Sequence, residues 1–149
     1  MKNLSSQISS KYGSHNLDKL INKLKTSNDK KRKYEYILWL GKNLSKSSQE
    51  LISEENKVNG CISEVYIKAK KINGKIEWEG FSDALITKGL LAFLIKGLSE
   101  LTPDEIIKID NSFIDETGLN ASLTPSRANG FLNIFLKMKS QAIKLSNND

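Results

Sequence analysis

The stretch EVYIKAKKINGKIEWEG, residues 64–80, predicts a β-hairpin and thereby decides the fold class. Val65 and Ile67 begin an alternation of side chains between two faces, which is the period of a strand with one buried face. Asn73-Gly74 follows, and both positions tolerate the positive φ that a tight two-residue turn needs. A return strand is predicted over Lys75–Gly80.

Folding the two strands about this turn also predicts their register. Opposite charges then meet on one face and apolar side chains on the other, so the side-chain pairing supports the register independently of the turn. The predicted cross-strand pairs are Lys70 with Glu77, Lys68 with Glu79, and Ala69 with Trp78.

Two helices are predicted before the hairpin. Apolar residues at positions 17, 20, 21 and 24 follow the spacing of one helix face, and Asn16 is expected to cap this helix. The second helix is predicted from about Asp29 to Asn43. Its expected inner face consists of Tyr34, Ile37, Leu38 and Gly41. The polar, serine-rich residues 1–16 are predicted to form a flexible arm before a single domain over residues 17–146.

Further helices are predicted after the hairpin. Asp83–Leu98 is apolar nearly all round, which is typical of a buried helix, and Ser82 is its expected N-cap. Thr102-Pro103 and Thr124-Pro125 each combine a capping residue with proline at the first helical position, and the last helix is expected to end near Leu145. The order predicts an α+β domain, in which several helices pack on one face of a small antiparallel sheet.

The amino-acid composition excludes several classes of site. The chain of 149 residues, the size of one domain, has one cysteine and one histidine. These numbers exclude an internal disulfide framework, a Cys/His zinc site and an iron–sulfur cluster held by this chain's own cysteines. The sequence contains no stretch of about 20 apolar residues that would span a bilayer. No metal, bound cofactor or membrane is therefore expected, and a reducing, cytoplasmic compartment is predicted for the free thiol.

The positive charge is concentrated in the first half of the chain. Residues 1–75 contain 16 basic and 7 acidic side chains, a net charge of +9, whereas residues 76–149 contain 7 and 10, a net charge of −3. A basic nucleic-acid-binding module is the alternative function that this half allows. Lys30-Lys31-Arg32-Lys33 is the only basic run, and it lacks interleaved aromatic residues. A solvated helix end is the favoured interpretation of this run.

Cys61 is the one thiol in the chain and a candidate nucleophile. It follows Asn59-Gly60, a turn dipeptide, and precedes the first strand, which places it in a loop. A cysteine peptidase would need a histidine base, and the only histidine, His15, falls in the predicted arm. Two interpretations stay open, a small buried side chain or a thiol that receives a group from a partner. A carrier thiol benefits from having no second cysteine nearby, because that cysteine would discharge the cargo as a disulfide.

Five segments of the chain resemble the SufE/CsdE family of sulfur-acceptor proteins. They appear in the family's order and together span roughly residues 17–145. The matching segments are YEYILWLGK (34–42), VNGCISEV (58–65), GFSDALITKGL (80–90), LTPDEI (101–106) and LTPSRANG (123–130). The resemblance implies a SufE/IscU-like fold.

The resemblance implies that Cys61 accepts sulfur from a persulfide on a pyridoxal-phosphate-dependent cysteine desulfurase of the SufS/CsdA kind. The chain would stimulate that enzyme without being a stand-alone enzyme, bind no cofactor itself, and pass the sulfur to iron–sulfur scaffold proteins such as SufBCD. It would act as a monomer or a homodimer. The resemblance also implies an acceptor loop that tucks the cysteine away and swings out to the partner.

The implied site residues surround Cys61. The acceptor loop and partner surface comprise Asn59, Gly60, Ile62, Ser63, Asp83 and Arg127. Asp83 is either a residue that tunes the loop or a first-turn acid favoured by a helix dipole. Arg127 is either part of the same surface or half of a structural salt bridge. The sequence departs from the family pattern at Ile62, where glutamine is usual, and at Phe81, where aspartate is frequent.

Overall fold

A computed structural model describes residues 10–147 of the chain. Six α-helices and a two-stranded antiparallel sheet are present in this part. The helices are α1 (His15–Lys25), α2 (Lys30–Lys42), α3 (Leu85–Gly97), α4 (Pro103–Ile107), α5 (Phe113–Glu116) and α6 (Pro125–Asn147), and the strands are β1 (Val65–Ile72) and β2 (Lys75–Ser82). Short 3-10 turns lie at Gln49–Leu51, Glu54–Asn56 and Leu119–Ala121. The predicted α+β class is confirmed.

The hairpin has the predicted turn and register. Asn73 and Gly74 have φ values of 54° and 81°, so both adopt the left-handed conformation that the tight turn requires. The three predicted cross-strand pairs are confirmed, from Lys70 opposite Glu77 to Ala69 opposite Trp78. The return strand is longer than predicted, because pairing continues to Val65 opposite Ser82.

The core forms where α3 and α6 cover the hairpin and α2 packs against α3. A Cβ atom on Gly89 would lie 2.1 Å from the Ile37 carbonyl oxygen, so only glycine permits this approach of α2 and α3. Phe93 of α3 meets Phe131 of α6 edge to face, with ring centroids 5.7 Å apart. The prediction that the helix after the hairpin is buried is confirmed. No helix in residues 10–147 has the length and apolar character needed to cross a membrane.

Residues 10–16 lie against the domain. The N-cap of α1 is Ser14 and not Asn16, because the Ser14 hydroxyl accepts from the Leu17 N–H at 3.2 Å and donates to the Gly97 carbonyl at 2.6 Å. Asn16 instead donates to the Ser99 hydroxyl, and His15 is the first residue of the helix. The part of the predicted flexible arm at residues 1–9 lies outside the described residues.

Helix α2 begins as predicted, but its inner face differs. Asp29 caps the helix, and the basic run Lys30–Lys33 occupies its first turn. Leu40 is buried in place of Tyr34, whose prediction as an inner residue was wrong. The packing of Gly41 against Gly89 fixes the rotation of the helix, which leaves Tyr34 exposed.

The start of α3 was predicted two residues too early. Because β2 continues to Ser82, this serine belongs to the strand, and the N-cap is Ala84. The Ser82 hydroxyl accepts from the Ala84 N–H at 3.3 Å, which is a turn contact before the helix. Asp83 therefore precedes α3, and its interpretation as a first-turn acid was wrong. The capping box at Thr102 and Glu105 is present as the sequence indicates.

Candidate functional site

Cys61 lies on a closed loop between the second 3-10 turn and the first strand. The Val58 N–H donates to the Val65 carbonyl at 2.9 Å, so the two ends of the loop are joined. Asp83 holds the far end as well. Its Oδ1 accepts from the Glu64 N–H at 3.0 Å, and its own N–H donates to the Glu64 carbonyl at 3.3 Å. These hydrogen bonds fix both ends of the loop and leave residues 59–63 between them.

The Cys61 side chain rests half-buried against α6. Its Sγ lies 3.9 Å from the Gly130 carbonyl oxygen, and a Cβ on Gly130 would come within 3.6 Å of the sulfur. Burial raises the pKa of the Cys61 thiol, and the positive charge of Arg127 partly opposes that rise. The resting geometry therefore favours the neutral thiol, which is less reactive than the thiolate.

Arg127 bridges the loop and the start of α3. Its Nη1 donates to the Ser63 hydroxyl at 2.5 Å and to the Thr87 hydroxyl at 2.6 Å. The Thr87 side chain is 3% exposed, so one end of this bridge is fixed in the core. The partners of Nη1 are hydroxyl groups and not the carboxylate that a structural salt bridge requires.

Gly60 occupies a position that excludes a side chain. Its φ is +83°, and a Cβ there would lie 2.6 Å from Asn133 Nδ2. Asn133 Nδ2 donates to the Gly60 carbonyl at 3.1 Å, which fixes the peptide that leads into Cys61.

The loop and α6 are matched residue by residue in opposite directions. Along the helix, Arg127, Gly130 and Asn133 are spaced three residues apart, so their positions follow one another along one side. They contact Ser63, Cys61 and Gly60 respectively. One helix therefore contacts the loop before, at and after the thiol.

Exposed apolar side chains lie beside the thiol. Ile62, directly after Cys61, is 72% exposed, and Leu85 at the start of α3 is 75% exposed. Phe81 in β2 is 38% exposed. The Glu64–Asp83 hydrogen bonds hold the loop that carries Ile62 beside the β2–α3 junction that carries Phe81 and Leu85. Large exposed apolar side chains are typical of a protein-binding surface when they lie close together.

The structure gathers most of the residues singled out from the sequence, and it adds three. Three residues of the loop contact α6, namely Gly60, Cys61 and Ser63, the last through Arg127 of that helix. Asp83 is hydrogen-bonded to the end of the loop at Glu64. The side chains of Asn59 and Ile62 are exposed. The residues that sequence reasoning missed are Thr87, Gly130 and Asn133. Asn133 had a weak signal, since it stands one helical turn after the segment 123–130. Within residues 10–147, no group of three His, Cys, Asp or Glu side chains is arranged to hold a metal ion.

Comparison with known proteins points to one family. Residues 18–142 match the model of the SufE family, described as an Fe-S metabolism associated domain. An uncharacterized SufE-like protein of Synechocystis is 49% identical over 128 residues, covering 86% of this chain and 80% of that protein. The SufE-like protein 1 of Arabidopsis thaliana, named chloroplastic/mitochondrial, is 38% identical over 87% of this chain.

Other relatives extend the comparison. The protein of Plasmodium vivax named cysteine desulfuration protein SufE is 38% identical over 81% of this chain. The match spans 35% of the Arabidopsis protein and 50% of the Plasmodium protein, so both are much longer than the shared region. The solution structure of a hypothetical protein from Thermus thermophilus superposes with a TM-score of 0.78 at 19% identity, covering 91% of this chain and 98% of that one. That likeness concerns the fold.

Proposed function

Since this chain belongs to the SufE family, we propose that Cys61 is a sulfur acceptor that takes persulfide sulfur from a cysteine desulfurase. The observation that carries the proposal is the position of Cys61, the one cysteine of the chain, on a loop whose ends are fixed while its sulfur rests only half-buried on α6. A thiol held in this way is partly shielded at rest, and a short movement of the loop would expose it fully.

The proposed reaction conserves atoms and electrons. The Cys61 thiolate attacks the terminal sulfur of a persulfide on the desulfurase cysteine. A new S–S bond forms at Cys61, the S–S bond to the desulfurase cysteine breaks, and that cysteine leaves as a thiolate. The Cys61 proton passes to solvent, and no external oxidant or reductant is needed.

The surroundings of Cys61 suit a step that occurs at an interface. In the resting protein, burial disfavours the thiolate that the attack requires. Docking of a partner against Ile62 and Leu85 would draw the loop from α6 and bring Cys61 to the partner's persulfide. The exposed apolar surface supports this protein partner.

The proposal extends to the steps before and after the transfer. Pyridoxal phosphate belongs to the desulfurase and not to this chain. This chain activates the desulfurase by removing the persulfide sulfur from it, and so is not a stand-alone enzyme. The sulfur then passes to an iron–sulfur scaffold. We place the cycle in a reducing compartment such as the cytoplasm, where Cys61 stays a free thiol.

Incubation with a cysteine desulfurase and free cysteine tests the proposal. We expect the wild-type protein to gain one sulfur atom at Cys61, detected by mass spectrometry, and to raise the rate of sulfide release. Cys61→Ser should fold normally and do neither. Undiminished stimulation by Cys61→Ser contradicts the proposal. Salt-sensitive binding of nucleic acid, unchanged in Cys61→Ser, would instead favour a basic binding module.

A further inference from the structure

Three side chains of α6 form a row that faces the segment around Cys61. Asn133, Lys137 and Gln141 are four residues apart and therefore lie on one face of the helix. Each donates to a backbone carbonyl, with Asn133 bonded to Gly60 at 3.1 Å, Lys137 to Glu55 at 2.8 Å and Gln141 to Ile67 at 2.7 Å. Of the three acceptors, Gly60 lies in the loop, Glu55 precedes the loop in the chain and Ile67 follows it.

Asn133 differs from its two neighbours in the part of the chain that it holds. Glu55 belongs to a 3-10 turn and Ile67 to a strand, so their backbone is fixed by other hydrogen bonds. Gly60 lies inside the loop, in a left-handed conformation with φ +83°, next to the peptide of Cys61. A backbone movement that carries Cys61 as a whole away from α6 turns this peptide and breaks the bond from Asn133.

We propose that Asn133 is a positioning residue that sets the fraction of time the Cys61 thiol is exposed, because its hydrogen bond to the Gly60 carbonyl holds the loop on α6. It holds the loop just before Cys61 in the chain, and Arg127 holds the loop just after Cys61 through Ser63. The effect of Asn133 on sulfur transfer rests on the proposed function, since an acceptor thiol must leave α6 to reach the sulfur donor. The effect of its hydrogen bond on the exposure of Cys61 is a property of the isolated chain.

Alkylation of Cys61 by iodoacetamide in the isolated protein tests the inference. Asn133→Leu removes the donor at nearly constant size, and we expect the alkylation rate near neutral pH to rise about two- to tenfold, the range that one net hydrogen bond represents. The rate at high pH, where the open loop carries a thiolate in both proteins, should stay the same. The midpoint of the pH profile should therefore fall. Asn133→Gln, which retains a donor, should restore part of the slow rate.

Lys137→Met is the matched control, because it removes a bond from the same helix face to a carbonyl outside the loop. It should leave the alkylation profile unchanged. Equal rates for Asn133→Leu and the wild type at every pH overturn the inference, and so does equal acceleration by Lys137→Met. The assay contains no desulfurase. A failure here therefore leaves the sulfur-transfer result intact, and undiminished stimulation by Cys61→Ser would refute the carrier role without affecting the loop result.

Discussion

The Arg127 guanidinium donates to the Ser63 hydroxyl at 2.5 Å, two residues beyond Cys61. The same nitrogen donates to Thr87 at 2.6 Å, in the first turns of α3. One cation therefore ties the Cys61 loop to a buried side chain and also opposes the effect of burial on the pKa of Cys61. Arg127 affects both the position of the loop and the pKa of Cys61, so replacing Arg127 would change both.

Two conservative variants separate the hold on the loop from the charge. Ser63→Ala removes the acceptor on the loop and leaves Arg127 in place, so we expect alkylation of Cys61 near neutral pH to rise about two- to tenfold. Thr87→Val removes the α3 hydroxyl at constant size, including its 3.4 Å contact with the Ser63 hydroxyl, but keeps the bond from Arg127 to Ser63, so its alkylation rate should rise less than that of Ser63→Ala. If Thr87→Val accelerated alkylation of Cys61 more than Ser63→Ala did, the bond from Arg127 to Ser63 would not be what holds the loop.

Asp83 is expected to act through the backbone of Glu64. Asp83→Ala removes the carboxylate acceptor at 3.0 Å and should lower the free energy of unfolding by about 1 kcal/mol. Asp83→Asn keeps an acceptor oxygen and should retain most of that stability. Chemical denaturation measures both changes. A loss in Asp83→Asn as large as in Asp83→Ala would show that the charge of Asp83, and not its hydrogen bond, fixes the end of the loop.

The titration of Cys61 should make stability depend on pH. Burial raises the pKa of this thiol in the folded state, so its contribution is fully present below the unfolded thiol's pKa, about 8.5, and is lost as the pH rises through the higher folded value. Tyr36 and Lys25 also have raised pKa values, so the comparison with Cys61→Ser isolates the thiol. We expect the wild-type free energy of unfolding to fall relative to that of Cys61→Ser between about pH 8 and 10. A parallel course of the two curves contradicts the raised pKa.

Local signals made the hairpin and the helix caps predictable, because Asn73-Gly74 and the capping box at Thr102 act within a few residues. Composition and loop position singled out Cys61, whereas the resemblance to the family supplied its acceptor role, Asp83 and Arg127. The contacts of the site could not be predicted, since Asn133 and Gly60 are 73 residues apart and nothing near either predicts the pairing.

Two of the errors have the same origin. The start of α3 was misplaced because β2 extends through its pairing with Val65, which competes with the helix for Ser82. Similarly, helical spacing alone assigned Tyr34 to the inner face. The rotation of α2 depends on the contact between Gly41 and Gly89, which that spacing does not show. In both cases a contact distant in sequence overrode a local preference.

Two glycines of the core and the site should respond in opposite ways to alanine. Gly89→Ala brings a Cβ within 2.1 Å of the Ile37 carbonyl, so the two helices must move apart, and we expect a loss of about 2–3 kcal/mol in the free energy of unfolding. Gly130→Ala places its Cβ at an ordinary contact distance of 3.6 Å from Cys61 Sγ and improves the helical propensity of α6, for a gain of about 0.5–1 kcal/mol. Urea denaturation compares the two variants, and Cys61 alkylation checks that Gly130→Ala has not displaced the thiol. If Gly89→Ala were as stable as the wild type, the close approach of α2 and α3 would not be what requires glycine at position 89, and a loss of stability in Gly130→Ala would contradict the gain expected there.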